Sequence, residues 1–417
     1  MAHAHIIGSG LAGLSAAVAL TKAGHRVTLY EAGPAAGGRC RSYLDRELGC
    51  RIDNGNHLLL SGNRAALDFL ATIGAADTMS GPAVALFPFM DLATGERWTV
   101  APNMGRIPWW IFSAQRSVAG ARLSEFVALL KLKFARGDQT VAETLGAAGT
   151  LYRRLLEPLA IAALNTMPDV ALARLLGAVV DETLAQGGAA CLPLVPREGL
   201  SESFIDPALA WLNARGGRLH TGRRVAGLRD DAGAVQELLT TDGPAVIAPG
   251  DAVVLAVPPW VAPTLVPGLV APDAFEAIVN VHFRIAADPG PAGFVGLVGG
   301  LVEWVFVKPG IVSTTTSAAN RVVDLPADTL AARAWAETAR ALSLAGPMPP
   351  WRVVKEKRAT FAATAAQERR RPAARTRLRN LALAGDWTAT GLPATIEGAI
   401  RSGVAAANTL FDDVGMG

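Results

Sequence analysis

The stretch His5-Ile6-Ile7-Gly8-Ser9-Gly10-Leu11-Ala12-Gly13-Leu14, followed by a second apolar run from Arg26 to Tyr30 and then by Glu31, decides the fold class. An apolar strand runs into a glycine turn, and the spacing predicts a helix over 11–23 behind it. Gly8 lets the backbone turn tightly, Gly10 admits a pyrophosphate close to the main chain, and Gly13 lets the helix lie on the strand. The positive end of that helix, opening at Leu11 and Ala12, then faces the phosphates. Glu31 follows Gly13 by 18 residues. At the end of the second strand its carboxylate accepts from both ribose hydroxyls and repels a 2′-phosphate. The signature is that of a Rossmann-like βαβ unit holding a dinucleotide.

A second segment near the other end narrows this. It reads Leu381-Ala382-Leu383-Ala384-Gly385-Asp386-Trp387, then Thr390-Gly391-Leu392-Pro393-Ala394-Thr395-Ile396-Glu397-Gly398-Ala399. An apolar strand again ends at a glycine and an acid, and a helix is expected from Thr395 or Ile396. Asp386 is placed to accept from a ribityl hydroxyl, with Gly385 leaving room for the sugar. The first turn of the helix aims free N–H groups at the flavin N1/O2 edge, which is anionic when the flavin is reduced. Alone, Gly385-Asp386 is also the pattern of an N-capped turn. Paired with the first segment it points to FAD, and no cysteine lies in it, so the flavin is expected to be non-covalent.

Composition bounds the rest. The 417 residues are 51% apolar, and 39 basic residues against 36 acidic ones leave no excess charge for a nucleic-acid partner. Cys40, Cys50 and Cys191 are too few and too scattered for a disulfide framework or a zinc site, so no metal is expected and a reducing cytoplasm is the simpler location. Residues 6–20 lack the basic leader of a signal peptide. The uncharged run 252–271 is long enough to span a bilayer but contains Pro258, Pro259, Pro263 and Pro267, so it reads as a buried strand and a proline-rich loop.

The two flavin segments lie about 370 residues apart, which requires a discontinuous cofactor domain. Its pieces are expected at 1–75, 198–265 and 355–417, with a substrate domain built from 76–197 and 266–354. Helices are expected over 117–136, 151–164 and 328–344, and strands over 217–225, 278–285, 302–308 and 311–316; Val225 is counted with the cofactor residues. Arg39, after the paired glycines 37 and 38, reaches either the pyrophosphate or the isoalloxazine. Asn54, Gly55, Asn56 and His57 bring polar groups into a segment flanked by leucines, and a lone histidine there is either a satisfied core residue or a catalyst. His282 and Glu303 lie on expected strands of the second domain. The basic stretch 369–379 reads as a solvated face or as a contact for anionic lipid headgroups. Trp109, Trp110, Ile111 and Phe112, between Arg106 and Arg116, suit either a membrane interface or a core.

These segments together carry a resemblance. The chain resembles the flavin amine oxidase and carotenoid desaturase superfamily from end to end. The matching residues are Gly37-Gly38-Arg39, Asp53-Asn54-Gly55-Asn56-His57, Leu255-Ala256-Val257-Pro258-Pro259-Trp260, Glu303-Trp304-Val305-Phe306, and above all Gly385-Asp386-Trp387-Thr388 with residues 390–403. Within it the chain is most similar to bacterial squalene-associated desaturase-like proteins, the hydroxysqualene dehydroxylases of hopanoid pathways. Asn56 and Glu303 stand where glutamine is expected in relatives.

The resemblance implies an α/β fold, a Rossmann-like FAD domain with an inserted α+β substrate domain. It also implies reductive chemistry, in which a C30 allylic alcohol loses its hydroxyl and reduced FAD supplies a hydride. His57 and Glu303 are then the candidate catalytic groups, with His282 a third. No second dinucleotide motif is present, so electrons would come from a separate reductase or a reduced nicotinamide carrier. A hydrocarbon substrate makes peripheral contact with the inner membrane the natural accompaniment of a cytoplasmic protein. Two rival readings use the same scaffold: a desaturase or oxidase of a polyisoprenoid or an amine, running the flavin the other way, and a flavin-free lipid carrier of the GDP-dissociation-inhibitor kind, against which the intact glycines, Glu31 and Asp386 argue.

Overall fold

Strand His3–Ile7 pairs in parallel with Arg26–Tyr30 on one side and with Ala252–Leu255 on the other. Arg218–His220 extends this sheet at one edge and Leu381–Leu383 at the other, giving five parallel strands. The computed structural model describes residues 2–411, so the end of the piece assigned to 355–417 falls outside the described residues. Ile6, Leu29, Val254 and Ala382 are buried, as expected of parallel strands covered on both faces, which read as continuous apolar runs. Helix Leu11–Lys22 lies against helix Ile396–Phe411. Gly403 permits the approach: a Cβ there would sit 2.3 Å from the carbonyl oxygen of Ala12. The two helices expected to face a flavin are thereby side by side.

A second sheet has seven strands, in the order Trp351–Phe361, Phe275–Phe283, Ile311–Thr316, Trp304–Lys308, Phe294–Val298, Phe87–Asp91, Arg97–Val100. All its pairings are antiparallel except Phe294–Val298 with Phe87–Asp91. Alternation divides the labour of its central strands. Val279, Val281 and Phe283 pack toward Trp335 of helix Ala327–Leu342, with the two rings 5.2 Å apart. The intervening Asn280 and His282 are equally buried and meet the polar run that begins at Asp53. Among the described residues there are three further small sheets, one of them Val225–Asp231, Ala234–Thr240 and Gly243–Val246.

Two expectations change here and a third holds. Strand Trp351–Phe361 pairs with Phe275–Phe283, so residues 355–361, grouped by sequence with the cofactor pieces, belong to the seven-stranded sheet. The helix expected over 117–136 is two short pieces, a 3-10 turn at Leu123–Phe126 and an α-helix at Val127–Leu132; Gly120 sits at φ +76° just before them, a conformation a helix interior does not use. The uncharged run 252–271 contains only the strand Ala252–Leu255 and a helical turn Ala262–Leu265. Among the described residues, no helix is long and apolar enough to cross a membrane.

Candidate active site

The turn after the first strand is built by steric exclusion. Gly8 has φ +100°, and a Cβ on it would lie 2.5 Å from the carbonyl oxygen of Ala256. A Cβ on Gly13 would lie 2.0 Å from the carbonyl oxygen of Gly8, so the helix rests on the turn as the spacing predicts. Gly10 is different: a Cβ there meets nothing within 4 Å. Its role is therefore not protein packing but room for something else. Behind it, the N–H group of Ala12 donates to no acceptor among the described residues, a donor of the kind an anion takes.

Glu31 stands beside this turn and partly departs from expectation. Its Oε2 accepts from the Ser9 amide at 3.0 Å and the Ser9 hydroxyl at 2.7 Å, and its Oε1 accepts from the Gly33 amide at 2.8 Å. Three of a carboxylate's about four acceptor directions are thus taken by the protein. One remains, not the pair that two ribose hydroxyls were expected to use.

The C-terminal segment meets the N-terminal one through Arg39. Its Nη2 donates to both carboxylate oxygens of Asp386, at 2.7 and 2.8 Å, and its Nη1 donates to the carbonyl of Ala359 at 2.5 Å. Asp386, expected from sequence to accept from a ribityl hydroxyl, is thus held by Arg39. Gly385 has φ +154°, and a Cβ on it would lie 2.2 Å from Nε1 of the buried Trp387, whose indole N–H donates to Val257. Thr395 caps the following helix, its hydroxyl accepting from the Gly398 amide at 3.0 Å. The N–H groups of Ile396 and Glu397 have no acceptor among the described residues. A flavin dinucleotide fits this donor set: unpaired N–H groups at two adjacent helix starts, an arginine and an acid between them, and one glycine with open space in front of it.

Two buried charged residues hold this arrangement. Arg371, in the supposedly solvated basic stretch, is fully buried and donates to the carbonyl of Thr388, to Thr390 Oγ1 at 2.8 Å and to the carbonyl of Asp386 at 3.2 Å. Glu368 neutralises it at 2.7 Å, and the Phe361 ring lies 4.9 Å from its guanidinium. The Glu368/Arg371 spacing of three is the one sequence signal that this cation was paired rather than free. Glu397 is also buried, and its two oxygens accept from the Ala65 and Ala66 amides at the start of helix Arg64–Thr72. Val225 is packed in the apolar cluster with Tyr30, Leu255 and Leu383, and pairs with Thr240.

The polar run 53–57 lies against the seven-stranded sheet. Asp53 accepts from Ser42 Oγ at 2.6 Å, from the Leu200 amide at 2.9 Å and from Lys308 Nζ at 2.7 Å. Burial works to raise its pKa, but Lys308 and these donors outweigh it and hold it below the ordinary carboxylate value. Asn54 Nδ2 reaches Glu356 at 3.4 Å, and a Cβ on Gly55 would lie 3.2 Å from Asn280 Nδ2. Asn56 Nδ2 donates to Thr315 Oγ1 at 3.0 Å, and that hydroxyl in turn donates to Asn280 Oδ1.

His57 makes no ring hydrogen bond among the described residues, and burial lowers its pKa to about 4, Asp53 only partly opposing this. His282 is likewise pushed down to about 4 by burial. Its Nδ1 is paired with Ser313 Oγ at 2.7 Å while Nε2 is buried without a partner.

Glu303 moves the other way. Burial raises it to about 7, against the opposing pull of the Ser317 amide and Arg321, which contact its two oxygens at 2.5 and 3.0 Å. From Ser317 the path continues: the Ala318 amide donates to Asn165 Oδ1 at 2.7 Å, and Asn165 Nδ2 donates to Thr360 Oγ1 at 2.9 Å. Thr360 adjoins Ala359, the acceptor of Arg39. Glu303 and the Arg39–Asp386 pair are therefore connected by hydrogen bonds joined through the backbone at Ser317–Ala318 and Ala359–Thr360.

At the opposite end of the first strand, His3, His5 and Asp251 bring potential ligand atoms within 4.8 Å of one another, although no metal site was expected. One atom of each is already engaged, His3 Nε2 with Thr28 Oγ1, His5 Nδ1 with Tyr30 Oη and Asp251 Oδ1 with the His3 amide, while His5 Nε2 is buried without a hydrogen bond, 3.9 Å from Asp251 Oδ2. Arg26 and Arg218 act on His3 as cations, which disfavours another.

The comparisons agree with this geometry. The family model described as flavin containing amine oxidoreductase matches residues 11–287 and 307–410. A hydroxysqualene dehydroxylase of Sinorhizobium fredii is 46% identical over 98% of both chains, as is one of Rhodopseudomonas palustris; one of Zymomonas mobilis is 43% identical over 98% of this chain and 99% of its own. Among solved structures, a putrescine oxidase variant superposes with a TM-score of 0.71 at 14% identity over 99% of both chains. Cyclohexylamine oxidase from Brevibacterium oxydans gives 0.69 at 16% identity, also over 99% of both. The chain has the amine oxidase fold and is a flavin-dependent oxidoreductase: it belongs to the flavin-containing amine oxidoreductase family, in the branch occupied by its hydroxysqualene dehydroxylase relatives.

Proposed function

We propose that this protein holds FAD non-covalently and converts hydroxysqualene to squalene, the hydroxyl leaving as water. The observation that carries the reading is the 46% identity to hydroxysqualene dehydroxylases along essentially the whole of both chains. The bound reduced flavin supplies the hydride that replaces the hydroxyl.

The chain's own residues have four tasks in this reading. Gly8, Gly10, Gly13, Leu11 and Ala12 receive the pyrophosphate, and the remaining acceptor direction of Glu31 takes one ribose hydroxyl. Arg39, Asp386, Thr395 and Ile396 position the ribityl and ring end, with Asn54, Gly55, Asn56 and His57 on its substrate side. Glu303 carries the proton for the departing hydroxyl in this chain, a task the glutamine expected there in relatives would leave to another group; raised to about 7, its carboxyl is about half protonated at neutral pH. His57, lowered to about 4, is neutral there and serves as a hydrogen-bonding group rather than as the acid.

Among the described residues, 2–75, 198–265 and 362–411 form the cofactor domain of this proposal, and the other segments the substrate domain. Non-covalent binding is supported by Cys40, the cysteine next to Arg39: burial pushes its thiol far above the usual range, which leaves it unreactive. Electrons reach the flavin from a separate reductase or a reduced nicotinamide.

Anaerobic incubation with chemically reduced FAD and hydroxysqualene, followed by mass-spectrometric identification of the product, tests the reading. Squalene is expected. Reaction only with oxidised flavin, giving a more unsaturated product, would instead establish a desaturase. Free FAD in the supernatant after denaturation tests the non-covalent link.

A further inference from the structure

The segment 104–134 places an unusual number of large apolar side chains outside the protein. Met104, Ile107, Trp109, Phe112, Leu123, Val127, Leu130 and Phe134 are all between 49 and 68% exposed. The aromatic run 109–112 does not act as a unit: Trp110 is 4% exposed and packs edge-on against Phe126, ring centroids 5.5 Å apart, while Trp109 and Phe112 face out. That inward contact seats the 109–112 turn against the 123–132 segment and places their outer faces together.

The pattern of the second piece is decisive. Leu123, Val127, Leu130 and Phe134 recur at intervals of four, three and four, the spacing of one helix face. Phe126 and Leu132 are buried on the other side. A helical segment with one apolar face in the core and a second one outside has a surface that water alone does not explain.

Charge selects the occupant. Between residues 104 and 136 the cations are Arg106, Arg116, Arg122, Lys131, Lys133 and Arg136, and the only acid is Glu125. Its carboxylate is turned inward, accepting from the Arg122 and Leu151 amides. Lys131, Lys133 and Arg136 are exposed and make no side-chain ion pair among the described residues. Apolar side chains ringed by unpaired cations match an anionic bilayer surface, in which the rings enter the acyl boundary and the cations meet the headgroups.

We propose that this face docks the protein on anionic lipid, with Leu123, Val127, Leu130, Phe134, Trp109 and Phe112 as the inserting side chains. The surface argument stands on exposure and charge; its purpose, collecting a water-insoluble alcohol from the bilayer, rests on the function proposed above.

Flotation of the FAD-loaded protein, without substrate, on vesicles of phosphatidylcholine with 30% phosphatidylglycerol, and on phosphatidylcholine alone, decides it. Wild type is expected to float with the anionic vesicles. Leu130→Ser/Phe134→Ser should lower partitioning by roughly tenfold or more, since each side chain withdraws a large buried apolar area. Lys131→Glu/Lys133→Glu should lower it on anionic vesicles only. Val246→Ser, removing an apolar side chain that is 68% exposed in another sheet, should float like wild type.

Anaerobic turnover of detergent-dispersed hydroxysqualene, run on the same Ser variant, separates docking from catalysis: it should persist. Wild type that stays at the bottom of the gradient with both vesicles overturns the proposal. So does a wild-type dimer that Leu130→Ser/Phe134→Ser converts to monomer, because the face would then belong to a second copy.

Discussion

Arg39 and Asp386 lie 347 positions apart in the chain, yet one guanidinium nitrogen of Arg39 reaches both oxygens of Asp386, at 2.7 and 2.8 Å. The pair fastens the loop after the strand Arg26–Tyr30 to the end of the strand Leu381–Leu383. Asp386 is nearly buried while the Arg39 side chain is 41% exposed. A conserving change, Asp386→Asn, removes the charge that organises both cofactor segments. The expected cost is about 1–2 kcal/mol, toward the low end of charged hydrogen bonds because Arg39 is open to solvent. Flavin retained through gel filtration should fall about tenfold, and unchanged retention would remove the pair from the cofactor site.

The three glycines of the turn separate packing from ligand binding. Gly13→Ala pushes a methyl to 2.0 Å from a backbone oxygen, so the helix must shift and the folded protein should be lost or destabilised by about 1–3 kcal/mol or more. Gly10→Ala meets no protein atom within 4 Å. It should melt like the flavin-free wild type yet retain little flavin. Normal flavin content in Gly10→Ala would show that the open space is not the pyrophosphate position.

Glu303 gives activity a pH signature. With its pKa raised to about 7 by burial, the protonated, donating form is lost as pH rises through that value, so turnover should decline on the alkaline side. Glu303→Gln should lower turnover by about 100-fold or more and abolish that limb. A variant that merely melts earlier, with the limb intact in its remaining activity, would make Glu303 a structural partner of Arg321.

Stability should follow the buried histidines. His5, His57 and His282 are each lowered to about 4, mainly by burial. The unfolded chain binds these protons near pH 6.5 and the folded chain does not until about 4. Their contribution is therefore complete above about 6.5 and is lost as pH falls to 4, at roughly 3 kcal/mol for each full shift. Glu303, raised, contributes in the opposite sense: it favours the fold below about 4.5 and that benefit is lost as pH rises through about 7. His282→Gln, which keeps a polar partner for Ser313, should reduce the acid slope of the melting temperature by one proton. An unaltered slope would place His282 outside this balance.

What was legible in the sequence was local. The glycine spacing, the acid at position 31 and the strand–glycine–acid–helix order of the C-terminal segment each state a backbone requirement, and each element formed where expected. Tertiary partnerships left no such trace. Nothing beside Arg39 names Asp386, and Arg371 sits in a run of arginines that reads as solvated until the Thr388 and Asp386 carbonyls are brought to it. Glu31 was readable as a site acid but not as a brace, because Ser9 and Gly33 reach it only after the turn closes. The exposed stripe 123–134 was read as part of a longer helix, since periodicity alone does not say which of two apolar faces is covered.

The most direct test of the central claim follows the flavin and the substrate together. Anaerobic protein with its FAD fully reduced is mixed with hydroxysqualene, with no other reductant present, and flavin absorbance and products are recorded over a single turnover. The account predicts that oxidised flavin appears in step with squalene, one for one. Flavin that stays reduced while hydroxysqualene persists, with squalene absent, would contradict it.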